Sequence, residues 1–93
     1  MNVHVSIFRC ALPCSGGWVH VAGGLREIDV GETEVWGVNS NDDIFMRPAD
    51  GSGHWKHIRG KLKHVSVGRE AIWGVNVHNN IYRCNLPCTG GWI

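Results

Sequence analysis

The chain has 93 residues, 43% hydrophobic and 18% charged, with 13 glycines, five tryptophans, four cysteines and a formal net charge of +1. That aromatic content with so little charge excludes a disordered chain, and the shortage of Ala, Glu, Lys, Leu and Arg excludes a long coiled coil. No apolar run approaches the roughly 20 residues of a membrane helix, Met1 to Cys10 lack the apolar core of a signal peptide, and the near-neutral charge points to no nucleic acid or other polyanion as partner.

Short strands are predicted one after another along the chain. The first spans residues 4–10, followed by 18–21, 25–30, 34–39 and 44–47. The series continues with 55–58, 62–67, 71–76 and 81–84, and Trp92-Ile93 begins another strand. In 62–67, Val65 and Val67 alternate with His64 and Ser66 at the strand period of two. Residues 71–76 are β-branched and aromatic, which suits a pleated surface. Glycine and Asx residues punctuate every 6–10 residues and no helical period of useful length is present, the pattern of an all-β meander.

The strands recur with a period of 37 residues. Residues 7–43 and 44–80 align without a gap and share 14 of 37 positions, and 81–93 matches 7–19 at 9 of 13. Ile7 falls on Ile44, Phe8 on Phe45, Gly16 on Gly53, Trp18 on Trp55, Gly23 on Gly60, Leu25 on Leu62 and Gly31 on Gly68. The run Trp36-Gly37-Val38-Asn39 falls on Trp73-Gly74-Val75-Asn76. Residues 1–6 fit as the end of a preceding repeat, because Asn2-Val3-His4 falls on Asn76-Val77-His78. A four-stranded meander repeated head to tail is the signature of a β-propeller blade. The expected fold is therefore all-β: a partial propeller of four-stranded antiparallel blades, each opening at its tryptophan strand (18–21 or 55–58). One blade cannot bury both faces alone. Trp18, Trp36, Trp55, Trp73 and Trp92 are accordingly expected between blades rather than as ligand platforms, and open blade edges predict self-association.

The copies alternate in two respects. Cys10 and Cys14 of the first copy recur as Cys84 and Cys88 in the third, while the second has Arg47 and Gly51 there. The loss of both members together favours local pairing, Cys10 with Cys14 and Cys84 with Cys88, each closing a loop between one blade and the next. A four-cysteine zinc site and free thiols are the alternatives, although two pairs 74 residues apart, each with a proline inside, do not match the usual zinc spacing. Disulfides imply an oxidising compartment. Charge alternates too: 7–43 carries a net −4 and 44–80 a net +4, which suggests blade pairs and an even blade number, six by preference. Chance drift of surface charge is the alternative.

These units resemble the tectonin repeats of the fish egg lectin family. The likeness rests on Asp42-Asp43-Ile44-Phe45, Gly53-His54-Trp55, the run from Gly60 to Gly68, Ile72-Trp73-Gly74-Val75-Asn76 and Ile81-Tyr82-Arg83-Cys84. It spans essentially the whole chain. The resemblance implies a secreted β-propeller lectin that binds N-acetylglucosamine-type sugars and microbial surface glycans in innate defence, with no catalytic role. A tectonin-type scaffold for protein–protein contacts inside cells is the alternative function.

Sugar recognition calls for an apolar ring face and a few convergent polar groups. The polar loops supply Asn39, Asp43, Asp50, His54, Asn76 and Asn80 as candidates. Against this, Asn and Asp at hairpin positions are ordinary turn formers. His20 and His57 occupy equal strand positions and read as structural. The six histidines show no metal-ligand spacing, so no metal or cofactor is expected. Ser6, Ser15, Ser40, Ser52 and Ser66 lie beside no recognisable nucleophile elbow, and no carboxylate dyad or phosphate-binding glycine loop is present, so no enzyme is expected. One or two weak sugar sites on so short a segment would make a poor agglutinin.

Overall fold

The computed structural model describes residues 6–21 and 23–93, and every regular element among them is a strand. In chain order they are β1 (Ile7–Arg9), β2 (Val19–Val21), β3 (Glu27–Val30), β4 (Glu34–Val38), β5 (Asp43–Pro48), β6 (Lys56–Lys61), β7 (His64–Val67), β8 (Ala71–Val75) and β9 (Ile81–Asn85). They form antiparallel meanders in sequence order: β1-β2, β3-β4-β5-β6 and β7-β8-β9. Trp92-Ile93 extends the last sheet, because Ile93 and Arg83 exchange both backbone hydrogen bonds at 2.8 Å. These are β-propeller blades, partial and unclosed. The strand expected at 4–10 is described only from Ser6 onward, and most of the expected end of a preceding repeat, residues 1–6, lies outside the described residues.

The blades begin one strand later than the periodicity suggests. The strand at 55–58 was expected to open a blade, yet β6 closes the sheet of β5, with Phe45 opposite His57 and Met46 opposite Lys56. The cause is local. The loop after Pro48 returns the chain as a hairpin partner of β5. Near the end of β6, Gly60 at φ +118° turns the chain away, and Leu62-Lys63 carry it into the next sheet. A residue with a Cβ is disfavoured at that φ, and the Cβ would also lie 3.0 Å from the Trp92 Nε1. Gly23 repeats the arrangement with Trp55 in the preceding copy.

The cysteines pair locally, Cys10 with Cys14 and Cys84 with Cys88, and no described cysteine is free. Because the blades begin later than expected, each bridge closes a loop inside one sheet rather than between two. The middle copy closes the same loop differently. Arg47 occupies the first cysteine position, and its Nη2 donates to the carbonyl of Gly51, the second cysteine position, at 3.1 Å. It also donates to the Gly53 carbonyl at 2.7 Å, with its guanidinium 5.4 Å from the centre of the Trp55 ring. A covalent clasp in the first and third copies is thus a charge-assisted one in the second.

The core lies between the second and third sheets. Trp36, Val38, Ile44, Ile58, Leu62, Val65, Ile72, Cys84 and Cys88 form one buried cluster, covered by Trp92, Tyr82, Leu86, Met46 and Val67. Each large side chain buried here contributes about 1.5–3 kcal/mol. Trp36 meets Trp92 edge to face at 6.2 Å, and the Trp36 indole donates to Glu34 Oε1 at 2.9 Å, so its burial leaves no orphan N–H. Trp55 and Trp92 likewise pack on the sheet before their own, as expected. One pair of opposite charges meets across this interface, Arg69 against Glu32 at 3.5 Å, and the His64 ring Nδ1 lies 2.5 Å from Glu27 Oε1. Both pairs are well exposed and add little stability. The Val67 N–H donates to Asp29 Oδ2 at 2.6 Å in the same seam.

Two outcomes are expected. Trp36→Ala should cost about 3–5 kcal/mol in urea unfolding, whereas Trp73→Ala, at the same repeat position but 51% exposed, should cost the monomer less than about 1 kcal/mol. In amide hydrogen exchange, Arg47→Ala should loosen residues 48–54 while sparing the cysteine loops, and reductant should do the reverse.

Candidate functional site

The six loop residues singled out by sequence divide between the two ends of the sheets. Asn39, Asp43, Asn76 and Asn80 lie at the turns β4–β5 and β8–β9, and Asp50 and His54 lie at the opposite end of β5. The two turns are built alike. Asn39 Oδ1 accepts the backbone N–H groups of Asn41 and Asp43, both at 2.9 Å. Asn76 Oδ1 accepts those of His78 and Asn80, also at 2.9 Å. Asp42 and Asn79 take the left-handed φ values of 65° and 66° that these turns need. Asn39 and Asn76 are therefore turn formers through their carbonyl oxygens, and Asn80 contributes its backbone.

Asp43 has a second partner. A bulge in β6 leaves Arg59 and Gly60 without residues opposite on β5 and brings Lys61 alongside Asp43. Lys61 Nζ lies 2.5 Å from Asp43 Oδ1, and Asn39 Nδ2 donates to Asp43 Oδ2 at 3.3 Å. The Lys61 hydrogen bond first, and the Asn39 one second, hold the carboxyl of Asp43 below its ordinary value. At the other end Asp50 folds its own loop: Oδ1 accepts from the hydroxyl of Ser52 at 2.6 Å and from its backbone N–H at 2.8 Å. Those two bonds, in that order, lower the carboxyl of Asp50. His54 is exposed.

The bulge also shapes a groove of about 570 Å³ along the second sheet's edge, lined by Asp43, His57, Arg59, Gly60, Lys61 and Thr89. Gly60 and Lys61 continue into a cleft of about 220 Å³ between the sheets, where Leu62, Asn76, Tyr82 and Trp92 form the walls. Two partly exposed rings, an amide, a carboxylate, an ammonium and a guanidinium thus line two depressions that have Gly60 and Lys61 in common. Such a set can stack a flat apolar face and exchange hydrogen bonds with hydroxyl groups around its rim. Of the sequence candidates only Asp43 and Asn76 line them. His57, read as structural, lines the groove as well, and Arg59, Lys61, Tyr82, Thr89 and Trp92 were not singled out as ligand-binding residues. A signal was present: His57, Arg59 and Lys61 stand at alternate positions of one strand, where the first copy has His20, Ala22 and Gly24.

Another cavity, about 530 Å³, separates the first two sheets and has Asp50 at its margin, but Ile7, Phe8, Trp18, Ile28 and Val30 make it mainly apolar. Ile28 and Val30 are the repeat counterparts of Val65 and Val67, which pack against the neighbouring blade. It is a packing face. Among the described residues no three His, Cys, Asp or Glu side chains are gathered to hold a metal ion.

The family model of the Tectonin domain matches residues 5–85. The chain belongs to the Tectonin domain family, whose members are lectin-type, non-enzymatic propellers. No curated protein matches it.

Asp43 and Asp50 should both titrate below the ordinary carboxyl value of 3.8 when followed by carboxyl NMR shifts. Lowered folded values mean that both groups stabilise the fold above the unfolded value and lose that contribution as pH falls through the folded one. Lys61→Ala should move the Asp43 midpoint upward and leave that of Asp50 in place.

Proposed function

We propose that this protein is a carbohydrate-binding lectin for N-acetylglucosamine-type sugars or microbial surface glycans, acting outside cells in innate defence. The observation that carries this reading is the cleft in which Tyr82 and Trp92 meet Asn76 and Lys61. A pyranose presents an apolar C–H face to an aromatic ring and hydroxyls at its edge. Tyr82 and Trp92 offer the face. Lys61, Asn76 and, along the adjoining groove, Asp43, His57 and Arg59 offer donors and acceptors. Lys61 already leans on Asp43, so the two charges are mutually satisfied and the pair can accept and donate toward neutral hydroxyls without an unpaired charge.

Membership of the Tectonin domain family supports the same reading. Two disulfides are compatible with an oxidising, extracellular setting. A single site of this size binds one sugar weakly. Useful affinity for a glycan-coated surface comes from several sites engaged together, which multiplies avidity by about 10²–10⁴ where geometry permits.

The test is titration calorimetry with N-acetylglucosamine, chitobiose and galactose, accompanied by a glycan array. Binding of the N-acetylated sugars is expected, weakened about tenfold or more by Tyr82→Leu, which removes the ring but keeps an apolar side chain, and by Lys61→Ala. Unchanged binding in both variants, with circular dichroism intact, would rule out this cleft.

A further inference from the structure

We propose that Arg59 makes this site selective for acidic glycans: N-acetylhexosamines that carry a carboxylate or a phosphate beside the ring received by Tyr82 and Trp92. The inference rests on the reading of the cleft as a sugar site and adds which sugars it takes. The groove that shares Gly60 and Lys61 with the cleft is lined by two permanent cations, Arg59 and Lys61, and one carboxylate, Asp43. Lys61 Nζ lies 2.5 Å from Asp43 Oδ1, so those two charges answer each other. Among the described residues, no carboxylate stands within ion-pair reach of Arg59. Its guanidinium makes one hydrogen bond there, from Nη2 to the Gly90 carbonyl at 3.4 Å, which is longer than usual. A guanidinium carries five N–H donors in a planar fork. Most of these donors are unspent, and the positive charge is uncompensated.

The backbone sets where this group stands. The Arg59 carbonyl accepts the Trp92 indole N–H at 2.8 Å. On another side Gly90 packs so closely that a Cβ there would lie 2.9 Å from the Arg59 Cβ. The base of the side chain is thus fixed beside one ring of the cleft, while the residue is exposed along the groove. A fork with free donors next to a ring platform suits a ligand that joins an apolar ring face to an acid. Guanidinium and carboxylate or phosphate match through two parallel N–H···O bonds, each roughly twice as strong as a neutral one. At an exposed position the attraction is moderate and screened by salt, so it confers a preference rather than an absolute requirement. The feature belongs to this copy: the first has Ala22 at the position of Arg59 and Gly24 at that of Lys61.

Titration calorimetry with three sugars tests this: N-acetylglucosamine, N-acetylmuramic acid, and N-acetylglucosamine phosphorylated on its primary hydroxyl. They share a ring and differ in the acid. In low salt at least one acidic sugar should bind about tenfold tighter than the neutral one, and which acid gains more tells carboxylate from phosphate. High salt should shrink that advantage. Arg59→Gln should abolish it while leaving the affinity for N-acetylglucosamine within about twofold, because the Trp92 contact uses the backbone carbonyl. Should Arg59→Gln lose its circular dichroism signature, Arg59→Lys, which keeps the charge without the fork, should retain part of the preference. Neutral and acidic sugars bound equally well, or a preference that neither salt nor Arg59→Gln reduces, would overturn this proposal and leave the sugar cleft standing. Failure of all three sugars to bind would remove both.

Discussion

The contact between one blade's tryptophan and the bend in the preceding blade turns separate meanders into one body. Trp92 donates its indole N–H to the Arg59 carbonyl at 2.8 Å and lies over Gly60, where no Cβ intervenes. Its ring edge reaches Trp36, the largest side chain of the core. A polar anchor and a large apolar area are thus delivered by one residue, which is the particular capacity of tryptophan. The geometry also needs a strand that stops and turns at that point, and Gly60 with its positive φ provides it. Everything else in the fold follows from repeating this contact every 37 residues.

The repetition is not uniform, and its departures are informative. The loop that joins the last two strands of a blade must stay folded back for the tryptophan that follows it to reach its neighbour. Two copies hold it with a disulfide, and the middle copy holds it with Arg47 on the Gly51 and Gly53 carbonyls. The constraint is the same and the chemistry differs, so the middle clasp is indifferent to redox conditions. Charge is also shared out between copies. Across the core seam Glu32 of the acidic first copy faces Arg69 of the basic second and Glu27 faces the His64 ring, exposed contacts that add little stability.

The candidate site lies where the second copy departs from the first. The β6 bulge carries Lys61 to Asp43 and opens the groove in which His57, Arg59 and Thr89 stand. The first copy has small or neutral residues at the positions of Arg59 and Lys61. Equivalent seams between blades therefore need not be equivalent sites, and the cleft between the second and third sheets brings Tyr82, Trp92, Asn76 and Lys61 together. The turn residues that sequence composition highlights serve this site indirectly. Asn39 and Asn76 spend their carbonyl oxygens on backbone N–H groups, and by doing so they set where Asp43 and Tyr82 enter their strands.

The 37-residue period, the approximate strand positions and the β-propeller class were legible in the amino-acid sequence alone, which also favoured the local pairing of the cysteines that the structure shows. These properties rest on short-range patterning: alternation within a strand, glycine and Asx between strands, and cysteines that come and go in pairs. Which strand closes which blade was decided only in three dimensions, because the choice between pairing β6 with β5 or with β7 depends on the turn at Gly60 and on where Trp92 can reach. The site was decided there too. Asp43, Lys61, Asn76, Tyr82 and Trp92 come from three strands and two loops, and only the packing of one blade on the next, with a bulge to displace Lys61, brings them to a common surface.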